Sequence, residues 1–318
     1  MNTNGSTFGS KLKNFPQLSI CIGFIVLFII LSILTSDFLT VKNILNVLRQ
    51  TSTNMIVAVG MTMVLLTGGI DLSVGSVAAL TAVFSVSFMT KYNMAVVPAI
   101  LLGLLIGLLC GFINGFIISK LNLPPFIVTL AMMCSARGLA LVYTNGVSIP
   151  GVPKTAVVLG QGYIAGVIPI PVIFMIVVLV LFGFLLKKSV FSRHVYAIGG
   201  NEECARLSGI SVSKVKIIVY SIAGLLSALA GIILTMRLAS GQPMLGDGLE
   251  MDAIAACVLG GTSLSGGKGS LFGTIIGCLF LTVLANGLNL AGVSSYMQQF
   301  LKGIIIVAAV CMYERGKK

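Results

Sequence analysis

Long apolar runs separated by short polar intervals make up most of this chain. The runs reach about 20 residues, which is the length that an α-helix needs to cross roughly 30 Å of hydrocarbon. A transmembrane β-barrel would show shorter segments in which apolar and polar residues alternate. The pattern therefore predicts an all-α polytopic membrane protein with about ten spanning helices. The predicted spans cover residues 17–36, 51–67, 76–90, 94–119, 125–143, 168–186, 217–236, 251–262, 271–290 and 296–313.

Two of the predicted spans are unusual. The first follows Lys11 and Lys13 and resembles a signal peptide, but residues 17–36 are long enough to span and no small-residue cleavage site follows. We therefore expect an uncleaved first helix after an N-terminal tail at residues 1–16. Residues 251–262 are short for a crossing, so this segment either spans or forms a re-entrant half-helix buried in protein.

The composition excludes a soluble globular protein. Hydrophobic residues make up 57% of the chain, charged residues only 9%, and the mean hydropathy is +1.09. The formal net charge of +12 invites a nucleic-acid partner, but the basic residues are scattered over the polar intervals and form no basic helix face. Their bias toward one set of loops instead predicts a membrane protein, surrounded by lipid, with both termini in the cytoplasm.

The longest polar interval, residues 187–216, is a predicted cytoplasmic loop that holds six of the 20 Lys and Arg residues. Within it, Asn201 can cap a short helix, and Gly209 can end it. Glu202 and Glu203 would then lie in the first turn, where carboxylates suit the positive end of the helix dipole. A capped helix held between two membrane spans would be accessible to a partner in the cytoplasm.

A pattern of the form G-G-x-x-L-S-x-G occurs twice. We call residues 68–75 the first glycine motif and residues 260–267 the second glycine motif. Both interrupt apolar segments, as do the broken helices beside which many transporters place their substrate site. The two motifs could equally be glycine-rich loops between ordinary spans. Counting the spans places both motifs on the cytoplasmic side, which favours a parallel relation between the two halves, unless one segment is re-entrant.

The sequence predicts neither catalysis nor a cofactor. The second glycine motif resembles a phosphate-binding loop, but Thr262 stands where that loop begins with Gly, and Gly269 follows Lys268 where Ser or Thr is required. His194 is the single histidine, and the seven cysteines show no C-x-x-C spacing, so we expect no metal site and no disulfide framework.

The polar residues expected inside the membrane are mostly uncharged. Hydroxyl and amide groups suit a neutral polyhydroxylated solute, although each of them singly can also serve as a hydrogen bond between helices. Three acidic residues, Asp247, Glu250 and Asp252, fall in a predicted outer loop, where we expect them to contact an external partner. The candidate pathway residues are Asn54, Thr67, Asp71, Ser73, Asn114, Thr262 and Ser263.

The segment from Glu203 to Gly209 resembles the Glu-Ala-Ala-x-x-x-Gly coupling segment of permease subunits in ATP-binding-cassette (ABC) importers, with Cys204 at its second position. The resemblance extends over nearly the whole chain. The stretches at residues 60–76, 124–132, 196–210, 220–235 and 251–269 are similar to ribose and related monosaccharide permeases.

This resemblance implies a single transmembrane permease domain over residues 1–318, with the ABC importer permease fold and 187–216 as its coupling loop. It further implies an importer for a neutral monosaccharide such as ribose. The expected partners are cytoplasmic ABC ATPase subunits, an extracytoplasmic sugar-binding protein and a second permease copy. The residues expected to contact the ATPase are Gly199, Gly200, Asn201, Glu202, Glu203, Ala205, Arg206 and Gly209.

Two alternatives remain open at this stage. A secondary sugar carrier would work without partner subunits, although such a carrier usually needs buried ionisable groups. An ABC permease for another small solute, such as a branched-chain amino acid or an autoinducer-type sugar derivative, would share the glycine-rich segments. The second permease could also be a paralogue instead of an identical copy.

Overall fold

The computed structural model describes residues 18–315, so the predicted tail at 1–16 lies outside the described residues. Within that range the chain is mostly helical. The helices are α1 (Leu18–Leu34), α2 (Val41–Leu66), α3 (Val74–Thr90), α4 (Val96–Lys120), α5 (Pro125–Thr144), α6 (Lys154–Gln161), α7 (Ile170–Lys188), α8 (Val190–Gly200), α9 (Glu202–Leu207), α10 (Val212–Leu238), α11 (Leu249–Leu259), α12 (Leu271–Leu290) and α13 (Ser295–Arg315).

Within residues 18–315, four strands of two residues each form two small antiparallel sheets. Strand β1 (Ile149–Pro150) pairs with β4 (Ser240–Gly241), and β2 (Tyr163–Ile164) pairs with β3 (Ile168–Pro169). The first of these pairs joins the loop after α5 to the loop after α10.

The polytopic architecture is supported by helix length and hydropathy. Among the described residues, five helices, α4, α5, α7, α10 and α12, are long and apolar enough to cross a membrane, and shorter apolar helices cover Ile20–Leu34 and Val74–Thr90. Each predicted span overlaps one helix of the structure. The least certain span, 251–262, coincides with α11, which has only 11 residues and is therefore too short to cross alone.

Helix α10 lies at the centre of the bundle and packs on α2, α3 and α4. The glycines on α4 recur every fourth residue and form a smooth ridge, as the spacing predicts for close helix packing. A Cβ at Gly107 would lie 2.6 Å from the carbonyl oxygen of Gly224, and one at Gly115 would lie 2.7 Å from the Cα of Ile217. Only glycine therefore allows α4 and α10 to approach this closely.

Two spans are broken into an extended segment followed by a short helix. After α2 ends at Leu66, residues 67–73 are non-helical before α3 begins. After α10, the chain turns at Ala239 and runs along α3: Gly241 lies beside Ala82 and Val86, and Gly246 lies against Gly75. Helix α11 therefore begins inside the bundle, as a half-helix that an extended segment precedes.

The two broken spans run in opposite directions. Helix α3 starts near the Leu66 end of the bundle and leads away from it. Helix α11 leads toward that end, because Cys257 donates to the carbonyl oxygen of Ala58 at 3.5 Å and the Gly267 N–H donates to that of Leu66 at 3.0 Å. The two glycine motifs share one end of the bundle, as the count of spans predicts. Each follows a helix that leads toward the Leu66 end, α2 or α11, and precedes one that leads away from it, α3 or α12.

Candidate functional site

Helix α9 has the capped geometry that the sequence predicts. Asn201 is its N-cap, and the Asn201 Oδ1 accepts a hydrogen bond from the Cys204 N–H at 2.9 Å. Gly209 has a φ of +82°, a left-handed conformation that allows the chain to leave the helix. The structure thus confirms the helix start predicted at Asn201 and the helix end predicted at Gly209.

The outward face of α9 carries charges and one large apolar side chain. Arg206 lies 3.4 Å from a Glu202 carboxylate oxygen and 3.3 Å from one of Glu203, and Lys216 Nζ lies 2.6 Å from Glu202. These partly exposed pairs contribute little to stability. Leu207 is 80% exposed and lies beside the exposed side chains of Glu203 and Arg206. Sequence reasoning missed Leu207, although a leucine between polar neighbours was visible.

The C-terminal end of α8 packs against the end of α2 and against the second glycine motif. A Cβ on Gly199 would overlap the carbonyl oxygen of Leu66 and the backbone nitrogen of Gly267. A Cβ on Gly267 would lie 2.9 Å from the Cα of Gly200. We call the contact of Leu66, Gly199, Gly200, Gly266 and Gly267 the glycine junction. Because these backbones touch directly, a displacement of α8 and α9 is transmitted to both broken spans.

The Tyr196 side chain adds a second link between α8 and the loop that follows α11. Its hydroxyl donates to the carbonyl oxygen of Gly269 at 2.9 Å, and burial raises the pKa of Tyr196 above its ordinary value. In the same loop, the Ser263 N–H donates to the Lys268 carbonyl oxygen at 2.8 Å. Thr262, which lies against Gly269, and Ser263 are both buried, so these two predicted pathway residues close the loop on itself.

Three predicted pathway residues form one buried cluster. Asp71 Oδ1 accepts from the Ser73 N–H at 2.8 Å and from the Ser73 hydroxyl at 2.6 Å, and Asn114 Nδ2 donates to the same hydroxyl at 3.0 Å. Asn114 Oδ1 and the Tyr220 hydroxyl are buried and have no partner among the described residues. Thr67 instead donates to the Val64 carbonyl oxygen at 2.7 Å.

Asn54, the remaining predicted pathway residue, is half-buried on α2, 12 residues before the end of that helix. The cluster joins the start of α3 to α4, and none of its three members is more than 1% exposed. In this conformation it therefore holds the first broken span in place.

The three acidic residues predicted at an outer loop lie elsewhere. The Glu250 carboxylate lies against Gly75, because a Cβ built on Gly75 would overlap it. Asp252 accepts from Lys302 Nζ at 3.0 and 2.9 Å. Asp247, which follows Gly246 in the sequence, is exposed. The expectation of an outer loop is corrected because the extended segment after α10 carries these residues down along α3, a path that hydropathy cannot reveal.

Arg137 on α5 holds this extended segment. Its Nη1 donates to the carbonyl oxygens of Pro243 at 2.7 Å and of Leu245 at 2.9 Å. Both carbonyls lie in a stretch without regular secondary structure, so the guanidinium satisfies acceptors that a helix would have satisfied internally. The sequence shows Arg137 and Lys302 as basic residues inside spans, and that rarity marks them as functional candidates.

A cavity of about 480 Å³ lies beside α9, between the end of α4 and the start of α10. Its charged lining is mainly basic, with one carboxylate. The charged residues that line it are Lys120, Glu202, Arg206, Lys214 and Lys216.

Comparison with known proteins places the chain among permeases. Residues 43–310 match the family described as the branched-chain amino acid transport system / permease component. The ribose import permease protein RbsC of Bacillus subtilis (strain 168) is 54% identical over 293 residues, covering 92% of this chain and 90% of the relative. RbsC of Escherichia coli (strain K12) is 49% identical over 311 residues, covering 96% of each.

A more distant relative is the L-arabinose transport system permease protein AraH of Escherichia coli (strain K12), which is 40% identical over 302 residues, covering 95% of this chain and 91% of the relative. No solved structure matches the chain significantly. The apolar helices and the permease relatives make this a multi-pass protein of the bacterial inner membrane, with a transport role and not a catalytic one. The chain belongs to the family of branched-chain amino acid transport system permease components.

Proposed function

We propose that this chain is the membrane-spanning subunit of an ABC importer for ribose. The observation that carries the proposal is the near-complete alignment with ribose import permeases from two distant bacteria, at 54% and 49% identity. Permeases named for L-arabinose and xylose are less similar, at 40% and 35%. Although the family description names branched-chain amino acids, these relatives are all sugar permeases, which favours a sugar as the solute.

Coupling to ATP hydrolysis would pass through α9. An ABC ATPase pair in the cytoplasm would bind the exposed face that includes Glu203, Arg206 and Leu207. The glycine junction supports this role, because it places the backbone of α8 against both broken spans. Differential contacts in the two ATPase states would then bias the bundle between two arrangements, as any coupled switch requires.

An extracytoplasmic binding protein would deliver the sugar to the face that carries the small β-sheets. Glu250 lies against α3 and Asp252 is paired with Lys302, so we do not assign these two residues to direct contact with a docked protein. A second copy of the chain would complete the pore, and both termini would lie in the cytoplasm. Asp71, Ser73 and Asn114 would influence the pathway by fixing the start of α3.

The test is uptake of labelled ribose in a bacterial strain that lacks its own ribose permease. Expression of this chain together with the ATPase and binding subunits of a ribose importer should restore uptake. Purified chain alone in vesicles should not concentrate ribose under an ion gradient. Concentration by the isolated chain would establish a secondary carrier and overturn the proposal. Uptake of leucine instead of ribose by the full complex would keep the importer class and overturn the substrate.

A further inference from the structure

A second cavity, of about 460 Å³, lies at the end of the bundle opposite to the glycine junction. Helix α2 runs from Val41 to Leu66, and its first turns line this cavity, whereas Leu66 belongs to the junction. Leu290 at the end of α12 and Tyr163 of β2 also line it. The volume is within the range of sites that hold small molecules or head groups.

The cavity lining carries more positive than negative charge. Lys42 and Arg49, seven residues apart on one face of α2, contribute two cations, and Asp37 contributes one carboxylate. None of the three forms an ion pair with another described residue. Arg237 on α10 is close enough to Arg49 for the two positive charges to repel each other. The start of α2 adds the positive end of a helix dipole, so the cavity favours an anion.

The Arg49 guanidinium lacks hydrogen-bond acceptors. Its Nε and Nη2 atoms are buried and have no partner among the described residues. These two nitrogens form the edge of a guanidinium that binds two oxygens of a phosphate or carboxylate in parallel. Tyr163 holds the group from one face, because the Arg49 Cζ lies 4.9 Å from the centre of its ring. A buried donor without an acceptor is unfavourable, and an oxyanion at Arg49 would remove that cost.

The surface around the cavity is apolar, which favours a lipid as the source of the oxyanion. On α1, which ends three residues before Asp37, Ile33 and Leu34 are 79% and 70% exposed. Val41 at the start of α2 is 70% exposed as well. Tyr163 is 46% exposed, and tyrosine is enriched where a membrane meets water. A soluble anion would gain nothing from these apolar side chains, whereas acyl chains would cover them.

We propose that this cavity binds the phosphate group of an anionic phospholipid from the outer leaflet, with Arg49 as its bidentate donor and Lys42 as a second cation. The acyl chains would lie along the exposed apolar faces of α1 and α2. Basic pockets between transmembrane helices bind anionic head groups by this combination of charge and hydrogen bonding. Because residues of the α1–α2 loop, α12 and β2 share the cavity, a bound lipid would tie them together. Such a site is independent of the solute that the chain transports.

Native mass spectrometry of the purified full chain in mild detergent tests the site. Dioleoyl phosphatidylglycerol should bind at least about fivefold more tightly than dioleoyl phosphatidylcholine, which carries no net charge. Loss of the bidentate contact in Arg49→Gln should weaken phosphatidylglycerol binding at least about tenfold. Lys91→Gln is the matched control, since Lys91 also lies over a ring, 4.6 Å from the centre of Tyr143, but does not line the cavity. Equal binding of the two lipids, or equal affinity of the parental and Arg49→Gln chains, would overturn the proposal.

Two variants at exposed positions keep the test valid if Arg49→Gln does not fold. Asp37→Asn removes the negative charge from the lining and should strengthen phosphatidylglycerol binding about fivefold. Lys42→Gln should weaken it by about the same factor. Weaker binding by Asp37→Asn would show that Asp37 serves as the acceptor for Arg49, and would overturn the lipid site.

Two soluble occupants are distinguished on the parental chain. Inorganic phosphate alone should not raise the unfolding temperature, which a thiol-reactive dye reports because Cys110, Cys257 and Cys278 are buried and free. Stabilisation by inorganic phosphate equal to that by phosphatidylglycerol would identify a soluble anion and overturn the lipid. The sugar-binding protein should bind the permease–ATPase complex equally well with and without phosphatidylglycerol. Mutual displacement would assign Arg49 to a carboxylate of that protein and overturn the proposal as well.

Discussion

The first glycine motif lies between the end of α2 and the start of α3, and the second lies between the end of α11 and the start of α12. Corresponding residues of the two motifs nevertheless have different surroundings. Leu72 is 8% exposed and Ser73 is 1% exposed, but their counterparts Leu264 and Ser265 are both exposed. The comparison teaches that a repeated sequence can locate two segments at one end of a bundle without giving them one structural role. Substitutions at matched positions measure this difference.

The largest effect is expected where the two motifs meet. Gly199→Ala should reduce transport at least about tenfold, because its Cβ would overlap backbone atoms of Leu66 and Gly267 that cannot move without shifting a helix. Gly200→Ala is the matched control, since a Cβ there meets nothing within 4 Å. Ribose uptake and ATPase activity of the complex are measured together. Equal behaviour of the two variants would show that the glycine junction does not couple the broken spans.

The next largest difference concerns the paired leucines. Leu72→Ala should lower the free energy of unfolding by about 3 kcal/mol, the range for a buried leucine, and Leu264→Ala by less than about 1 kcal/mol. Unfolding of the purified chain in mixed micelles measures both. A loss at Leu264 as large as that at Leu72 would indicate that a partner or a second copy covers the second motif.

The paired serines should differ by a smaller amount. Ser73→Ala leaves the Asn114 amide without its acceptor and removes one donor from Asp71, which should cost about 2 kcal/mol. Ser265→Ala changes an exposed side chain and should cost less than about 0.5 kcal/mol. The same unfolding measurement applies, and equal costs would contradict the buried cluster.

Alanine at the paired glycines should lower the free energy of unfolding by similar amounts, but for different reasons. Gly69→Ala would overlap the Tyr220 hydroxyl, while Gly261→Ala meets open space but must adopt a φ of +85°. Each substitution should lower the free energy of unfolding by about 1 kcal/mol. Tyr220→Phe removes the overlapping atom and should restore Gly69→Ala but not Gly261→Ala. Failure of this rescue in a double-mutant cycle would show that the hydroxyl is not the obstacle.

The helices could be predicted from the sequence because apolar length and capping residues are local. The segment 125–143 corresponds to Pro125–Thr144, and Asn201 caps α9 as its position predicts. The course of residues 241–246 could not be predicted, since it depends on Arg137 supplying donors from another helix. For the same reason, the depths of Asp247 and Glu250 and the opposite directions of the two broken spans emerged only from the fold.

The candidate site was predicted in part. Asp71, Ser73 and Asn114 lie together because a polar side chain in an apolar segment must find a partner. Thr67, Thr262 and Ser263 bind or pack against nearby parts of the chain, an outcome that the sequence alone does not distinguish from a role in the pathway.

The glycine ridge between α4 and α10 has a consequence for motion. Because Gly107, Gly111 and Gly115 interlock with the backbone of α10 at intervals of about one turn, sliding either helix by less than a full turn would drive side chains into that backbone. We therefore expect α4 and α10 to move as one rigid pair, and any rocking that opens one side of the membrane must be carried by the helices packed around them.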